Sequence, residues 1–133
     1  MSEYAQPTHL PDREVTLRLM ATPHDTNVAG DIFGGWIMSQ IDIAGAVAAH
    51  KRARGRVVTV AVNSIQFHQP VFVGDMVSCY TQIERVGRTS LTVKVEVYAE
   101  RERGSADCFK VTEALLTYVA VDAQRQPRPV PEG

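Results

Sequence analysis

Along residues 13–20, REVTLRLM, Val15, Leu17 and Leu19 alternate with Thr16, Arg18 and Met20, the period of a half-buried strand. The next ten residues, ATPHDTNVAG, are rich in turn formers and predict a loop. From about Phe33 to Lys51 or Arg52 the period changes. Ile37, Met38, Ile41, Ile43, Ala44, Val47 and Ala48 put apolar groups on nearly every side of a helix. Lys51, Arg52 and Arg54 suit the negative end of that helix's dipole, and Gly55 marks its stop. Four segments rich in β-branched and aromatic residues follow, at 57–67, 71–86, 89–101 and 108–121. Breaks at Gln69-Pro70, Gly87-Arg88 and Gly104-Ser105 separate them. The predicted order is β-α-β-β-β-β.

A helix that is apolar all round must be covered on most sides, and a curved antiparallel sheet of about five strands wrapped round it does so. The expected fold class is therefore α+β. In TSLTVKVEVYAER, Val93, Val95, Val97 and Ala99 share one face while Thr92, Lys94, Glu96, Tyr98 and Glu100 share the other. That pattern predicts a dry face against the helix and a wet one behind it. In VVTVAVNSIQF, Val58, Val60 and Val62 oppose the small residues Thr59, Ala61 and Asn63. The small-residue face predicts contact with a second copy, hence a homodimer.

At 133 residues, 44% of them hydrophobic and 22% charged, the chain fits one domain. An N-terminal extension over 1–12 precedes a folded unit over 13–121 and a Pro-rich tail over 122–133. Three prolines in the last seven residues forbid a helix or a central strand there, so the tail is expected to be mobile. A net charge of −1 lacks the basic excess that phosphate-backbone binding demands, which argues against nucleic acid as a principal partner. No basic run leads into an apolar stretch at the N-terminus, and no window reaches the roughly 18 apolar residues of a membrane span. A cytoplasmic protein with no membrane partner is expected. Cys79 and Cys108 lack a CxxC pairing or companion histidines, which predicts small buried thiols rather than a disulfide or zinc site. His24, His50 and His68 share no element, so no metal is expected.

Within the apolar helix stands one carboxylate, Asp42, between Ile41 and Ile43 and with Ser39 and Ala46 on its face. An unpaired buried charge costs several kcal/mol or forces a shifted pKa, so chemistry explains a carboxylate there better than solvation does. Two turns earlier, Gly34 and Gly35 open the helix, where first-turn N–H groups lack intrahelical partners and carry the positive end of the dipole. Close helix packing is the other reading of that pair. Asn27 is the best-placed neutral polar side chain of the preceding loop, where asparagine also serves as turn chemistry.

The segment NVAGDIFGGWIMSQIDIAG, followed by TVAVNSIQFHQPVFVGD and VGRTSLTVKVEV, is similar to the acyl-CoA thioester hydrolases of the bacterial YciA and cytosolic long-chain acyl-CoA hydrolase type. The resemblance covers roughly residues 13–121. It implies the hotdog fold, a sheet wrapped round one long central helix. It also implies hydrolysis of acyl-CoA to free fatty acid and coenzyme A, with no cofactor beyond the coenzyme A of the substrate. The implied assembly is a dimer or trimer of dimers, whose interface sites hold the helix aspartate of one subunit and a pre-helix asparagine of the other. Those positions fall on Asp42 and Asn27. Many relatives have a histidine before the paired glycines; this chain has Phe33, so no imidazole acts from that position.

For a thioester substrate, Asp42 would take a proton from water or attack the carbonyl carbon itself. The Gly35 N–H would meet the oxyanion, Gly34 would leave room for close approach, and Asn27 would hold water or the carbonyl. Arg88, Thr89 and Ser90 in RVGRTS, with Arg54 and Arg56 beyond the helix, are the expected contacts for the phosphates and pantetheine arm of coenzyme A. Solvated turn arginines are the plainer alternative. Two other functions stay open at this point. One is an enoyl-CoA hydratase, whose D-x-N-P-x-H loop is matched by DTNVAG only at Asp25 and Asn27. The other is a non-catalytic acyl-CoA-binding module.

Overall fold

The computed structural model describes residues 7–102 and 106–133. The predicted break at Gly104-Ser105 and the first six residues of the N-terminal extension lie outside the described residues. In chain order the elements are β1 (Leu17–Met20), α1 (Gly34–Ala53), β2 (Val57–Phe67), β3 (Met76–Val86), β4 (Ser90–Glu102) and β5 (Ala106–Ala120), as predicted. The strands form one antiparallel sheet in the order β1-β3-β4-β5-β2. Helix α1 packs against β2, β3, β4 and β5, the helix-on-sheet arrangement of the hotdog fold. Among the described residues no helix is long and apolar enough to cross a membrane.

The core lies between helix and sheet. Ile37, Ile41, Ala44, Ala49 and Ala53 of α1 are buried against Val93, Val95, Val97 and Ala99 of β4. Each fully buried aliphatic side chain of Val or Ile size stabilises the fold by about 1.5–3 kcal/mol. The dry face of β4 is thus the predicted one, but the opposite face is not uniformly wet. Tyr98 is buried there edge-on to Tyr80, ring centroids 5.8 Å apart, with the Arg13 guanidinium over the Tyr80 ring.

A single sheet covers only one side of α1. Ile43 and Val47, expected under cover, remain 50% and 49% exposed in the isolated chain. The expected alternation also fails in β2, where the register slips between Thr59 and Ala61 and again between Val62 and Ser64. Residues opposite one another share a face. Val62, opposite Leu116, and Thr59, opposite Tyr118, therefore point to the helix side, while Val58 lies opposite Val119 on the other. Neither the all-valine face nor the small-residue face forms.

Two strand starts also differ from expectation. β1 takes only the second half of 13–20: Thr16 still donates its N–H to Cys79 O at 2.9 Å, but Arg13 reaches β3 only through its side chain, donating to Thr81 O at 2.9 Å. β3 begins at Met76 rather than Val71, because Asp75 N–H donates to Phe72 O at 3.0 Å and closes a turn. Gly74 sits in that turn at φ 91°, a conformation that favours glycine. The 122–133 segment forms neither helix nor strand, as its prolines require. It is nonetheless tied down: Arg128 N–H donates to Ala120 O at 2.9 Å, Val130 N–H to Arg88 O at 2.8 Å and Arg52 Nη1 to Pro131 O at 2.6 Å. Those contacts replace the mobile tail that its composition predicts.

Candidate active site

Asp42 sits in the middle of α1, and the sheet beneath it supplies its partners. Its Oδ1 accepts hydrogen bonds from Thr59 Oγ1 at 2.8 Å and from the Tyr118 hydroxyl at 2.9 Å. Thr59 and Tyr118 are direct cross-strand neighbours, so the β2–β5 ladder sets two donors side by side under one carboxylate. Oδ2 has no hydrogen bond among the described residues. Tyr118 is fully buried, and that burial, reinforced by the bond to Asp42, pushes its pKa above the ordinary tyrosine range. The hydroxyl therefore stays a neutral donor. Gly45 makes room for it, since a Cβ at that position would collide with the Tyr118 hydroxyl. The carboxylate in the apolar helix is thus partnered rather than bare.

At the helix start the Phe33 carbonyl accepts from Trp36 N–H at 3.1 Å and Ile37 N–H at 3.2 Å. The Gly34 and Gly35 N–H groups precede these and have no intrahelical acceptor. Space over Gly35 is open, with nothing within 4 Å of where a Cβ would stand. Beside Gly34 lies a pocket of about 290 Å³, lined by Ile32, Ile37, Val71, Phe67 and His68. A larger cavity of about 650 Å³, among Arg13, Val47, Lys51, Arg52 and Arg54, includes none of Asp42, Asn27 and Gly35. Gly35 and Asp42 share a helix face, but at 1.5 Å per residue they stand about 10 Å apart along the axis.

Asn27 is engaged in its own turn, where its Oδ1 accepts from Ala29 N–H at 2.9 Å and Asp31 N–H at 3.1 Å. This fixes the side chain and leaves Nδ2 with no partner among the described residues. Within one chain the structure places no contact between Asn27 and Asp42. The expected coenzyme A contacts do gather, at the end of the sheet where α1 finishes. Val121 N–H donates to Arg56 O at 3.0 Å and Ala120 N–H to Thr89 O at 2.9 Å, so Arg56 and Arg88-Thr89 flank the end of β5. Arg54, in the left-handed conformation at φ 57°, caps α1, and Ser90 tucks its Oγ beneath Gly87. Arg54, Arg56 and Arg88 are exposed, and no bond joins them to Asp42. Both cysteines are free thiols, and burial pushes the Cys79 thiol up to about 12. Among the described residues no group of three His, Cys, Asp or Glu side chains could hold a metal.

Sequence reasoning singled out Asp42 by its incongruity but not the two residues that bond to it, Thr59 and Tyr118. Tyr118 did leave a signal: in the inward row Ala114, Leu116, Tyr118, Ala120 it is the one side chain with a polar tip. Thr59 left none, because its facing depends on the slips in β2.

The thioesterase superfamily matches residues 29–106. The acyl-CoA thioester hydrolase YciA of Salmonella typhimurium is 49% identical over 123 residues, spanning 91% of this chain and 92% of that protein. HI0827, a hexameric broad specificity acyl-coenzyme A thioesterase solved as an Asp-to-Ala mutant enzyme, superposes with a TM-score of 0.86 at 48% identity. That comparison covers 90% of this chain and 87% of the other. The hexameric thioesterase y2039 from Yersinia pestis matches with a TM-score of 0.86 at 49% identity, over 93% of this chain and all 100% of that one. By fold and sequence, the chain belongs to the thioesterase superfamily, among the hotdog acyl-CoA thioester hydrolases of the YciA type.

Proposed function

We propose that the protein hydrolyses acyl-CoA thioesters to the free acid and coenzyme A, with Asp42 as general base. The observation that carries this reading is the half-partnered Asp42 carboxylate, with Oδ1 held by two hydroxyls and Oδ2 without a hydrogen bond among the described residues. In the reaction an O–H bond of water breaks, its proton going to Asp42 and its oxygen to the thioester carbon. A helix-start N–H, that of Gly35, meets the charge that develops on the carbonyl oxygen, which is worth about 2.7–4 kcal/mol for one good donor. As the C–S bond breaks, the coenzyme A thiolate leaves with the proton held by Asp42. Arg56 and Arg88, with Thr89 and Ser90, take the phosphate end of the substrate.

The site is shared between copies of the chain. A spacing of about 10 Å keeps Gly35 and Asp42 of one helix from acting on the same carbonyl, so the carboxylate of one copy works with the helix start and Asn27 of another. Exposed apolar side chains border each part: Val28 beside Asn27, Phe33 beside the glycines, and Ile43 and Val47 on the Asp42 helix. The edge strand β2 exposes Val58, Val60 and Val62 as well, at 38%, 54% and 42%. We take the assembly to be a dimer built on that surface and a trimer of such dimers, in keeping with the hexameric relatives. Thiol release from a panel of acyl-CoA esters tests the activity, and Asp42→Asn tests the base. The variant should keep the oligomeric mass and lose at least about 10²-fold in turnover. Near wild-type turnover would overturn the role of Asp42, and no thiol release by the wild type would overturn the activity.

A further inference from the structure

We infer that Tyr118 is a positioning residue for the hydrolysis: together with Thr59 it occupies Oδ1 of Asp42, so that Oδ2 is the oxygen turned to water. The inference rests on Asp42 being the base and assigns which of its two oxygens reacts and what selects it. Tyr118 is fully buried, so its hydroxyl touches no substrate. It meets Asp42 twice, lying 2.9 Å from Oδ1 and 3.0 Å from the backbone oxygen of the same residue. The side chain of Asp42 is thereby fixed relative to its own helix turn.

A carboxylate held by Thr59 alone could rotate and exchange its oxygens, because Thr59 stands at the exposed side of the site. The second donor removes that freedom. A misplacement of about 1 Å in a reacting group can cost on the order of 10²-fold in rate. The helix is adapted to the contact: Gly45, one turn beyond Asp42, is the residue whose missing Cβ lets the hydroxyl in. Asp42, Gly45 and Tyr118 therefore form one unit, built from a helix and the last strand of the chain. Among the described residues Asp42 is the only charged group that acts on the Tyr118 hydroxyl.

Tyr118→Phe keeps the buried ring and deletes the donor, while Gly45→Ala keeps the hydroxyl and displaces it. Each should lower kcat about tenfold, the loss of one hydrogen bond to a charged group, with KM changed less than about twofold. In an Asp42→Asn background, Tyr118→Phe should cause no further loss of kcat, because two residues acting through one group are not additive. Wild-type kcat in both Tyr118→Phe and Gly45→Ala would overturn the inference. So would an equal loss on adding Tyr118→Phe to Asp42→Asn, which is the mark of general structural damage. Should Tyr118→Phe fail to fold, Gly45→Ala carries the same test. Full activity in Asp42→Asn would instead remove the reading of Asp42 as base, and is told apart by that variant alone.

Discussion

Asp75 is 1% exposed, and Arg101 grips it through two bonds at 3.0 and 2.8 Å. Phe72 N–H adds a third bond at 2.9 Å, and the guanidinium also lies over the rings of Phe72 and Phe109 and donates to Pro70 O. One ion pair thus ties the 70–75 turn, whose Pro70 and Val71 wall the pocket beside Gly34, to β4. Removing one partner of a buried pair strands the other charge and costs about 3–5 kcal/mol. Asp75→Ala should accordingly lower the thermal midpoint far more than a surface Asp→Ala control, as read by circular dichroism. Arg101→Lys should fall between, because an ammonium keeps the charge but not the two-pronged fork. An unchanged midpoint in Asp75→Ala would show that the pair adds nothing. Asp42 is treated differently, since its partners are neutral hydroxyls that orient the carboxylate without neutralising it.

On the outer face of β4 and β5, Glu96 binds Arg13 at 2.8 Å and Lys110 at 2.9 Å, and Lys110 also binds Glu113 at 2.6 Å. Burial pushes the Glu96 carboxyl up, but the bond and charge of Lys110, with Lys94 and Arg13, outweigh it and hold the group below its ordinary value. For Lys110, burial acts downward and Glu113 and Glu96 raise the ammonium to about 12. A raised folded-state pKa adds stability that is complete below the ordinary 10.5 and disappears as pH climbs through about 12. The side chains are partly solvated, so the effect is modest. Lys110→Met should unfold earlier than wild type below pH 10.5, with the gap closing towards pH 12; a gap that stays constant would assign it to packing. This strand pair also shows what a sequence makes legible. Valines at every second position announce the dry face of β4, and a lone acid in an apolar helix announces Asp42. Facing in β2 was not legible, because two register slips depend on how the strand meets β5. Cover over α1 was not legible either, since one sheet cannot wrap a helix whose remaining stripe is apolar.

In the whole molecule, two features remain unfinished in a single chain: an 11-residue edge strand with exposed valines, and an Asp42 that its own Asn27 does not reach. A long apolar edge invites pairing, and in the proposed dimer a second copy satisfies it. Val60→Asp, which puts a charge on that edge, should shift the protein to smaller species in sedimentation and lower activity with it. An unchanged mass would move the interface elsewhere. The sharper test uses the two halves of the site. Asn27→Ala and Asp42→Ala should each be nearly inactive alone, since every dimer of either one lacks a residue at both sites. When the two are unfolded and refolded together, random pairing makes half of the dimers mixed, and each mixed dimer has one site with both residues intact. Activity should then return to about a quarter of the wild-type value per site. The sum of the parent activities, with subunit exchange confirmed by mass, would reject the shared site and leave Asn27 with its turn bonds to Ala29 and Asp31 as its whole role.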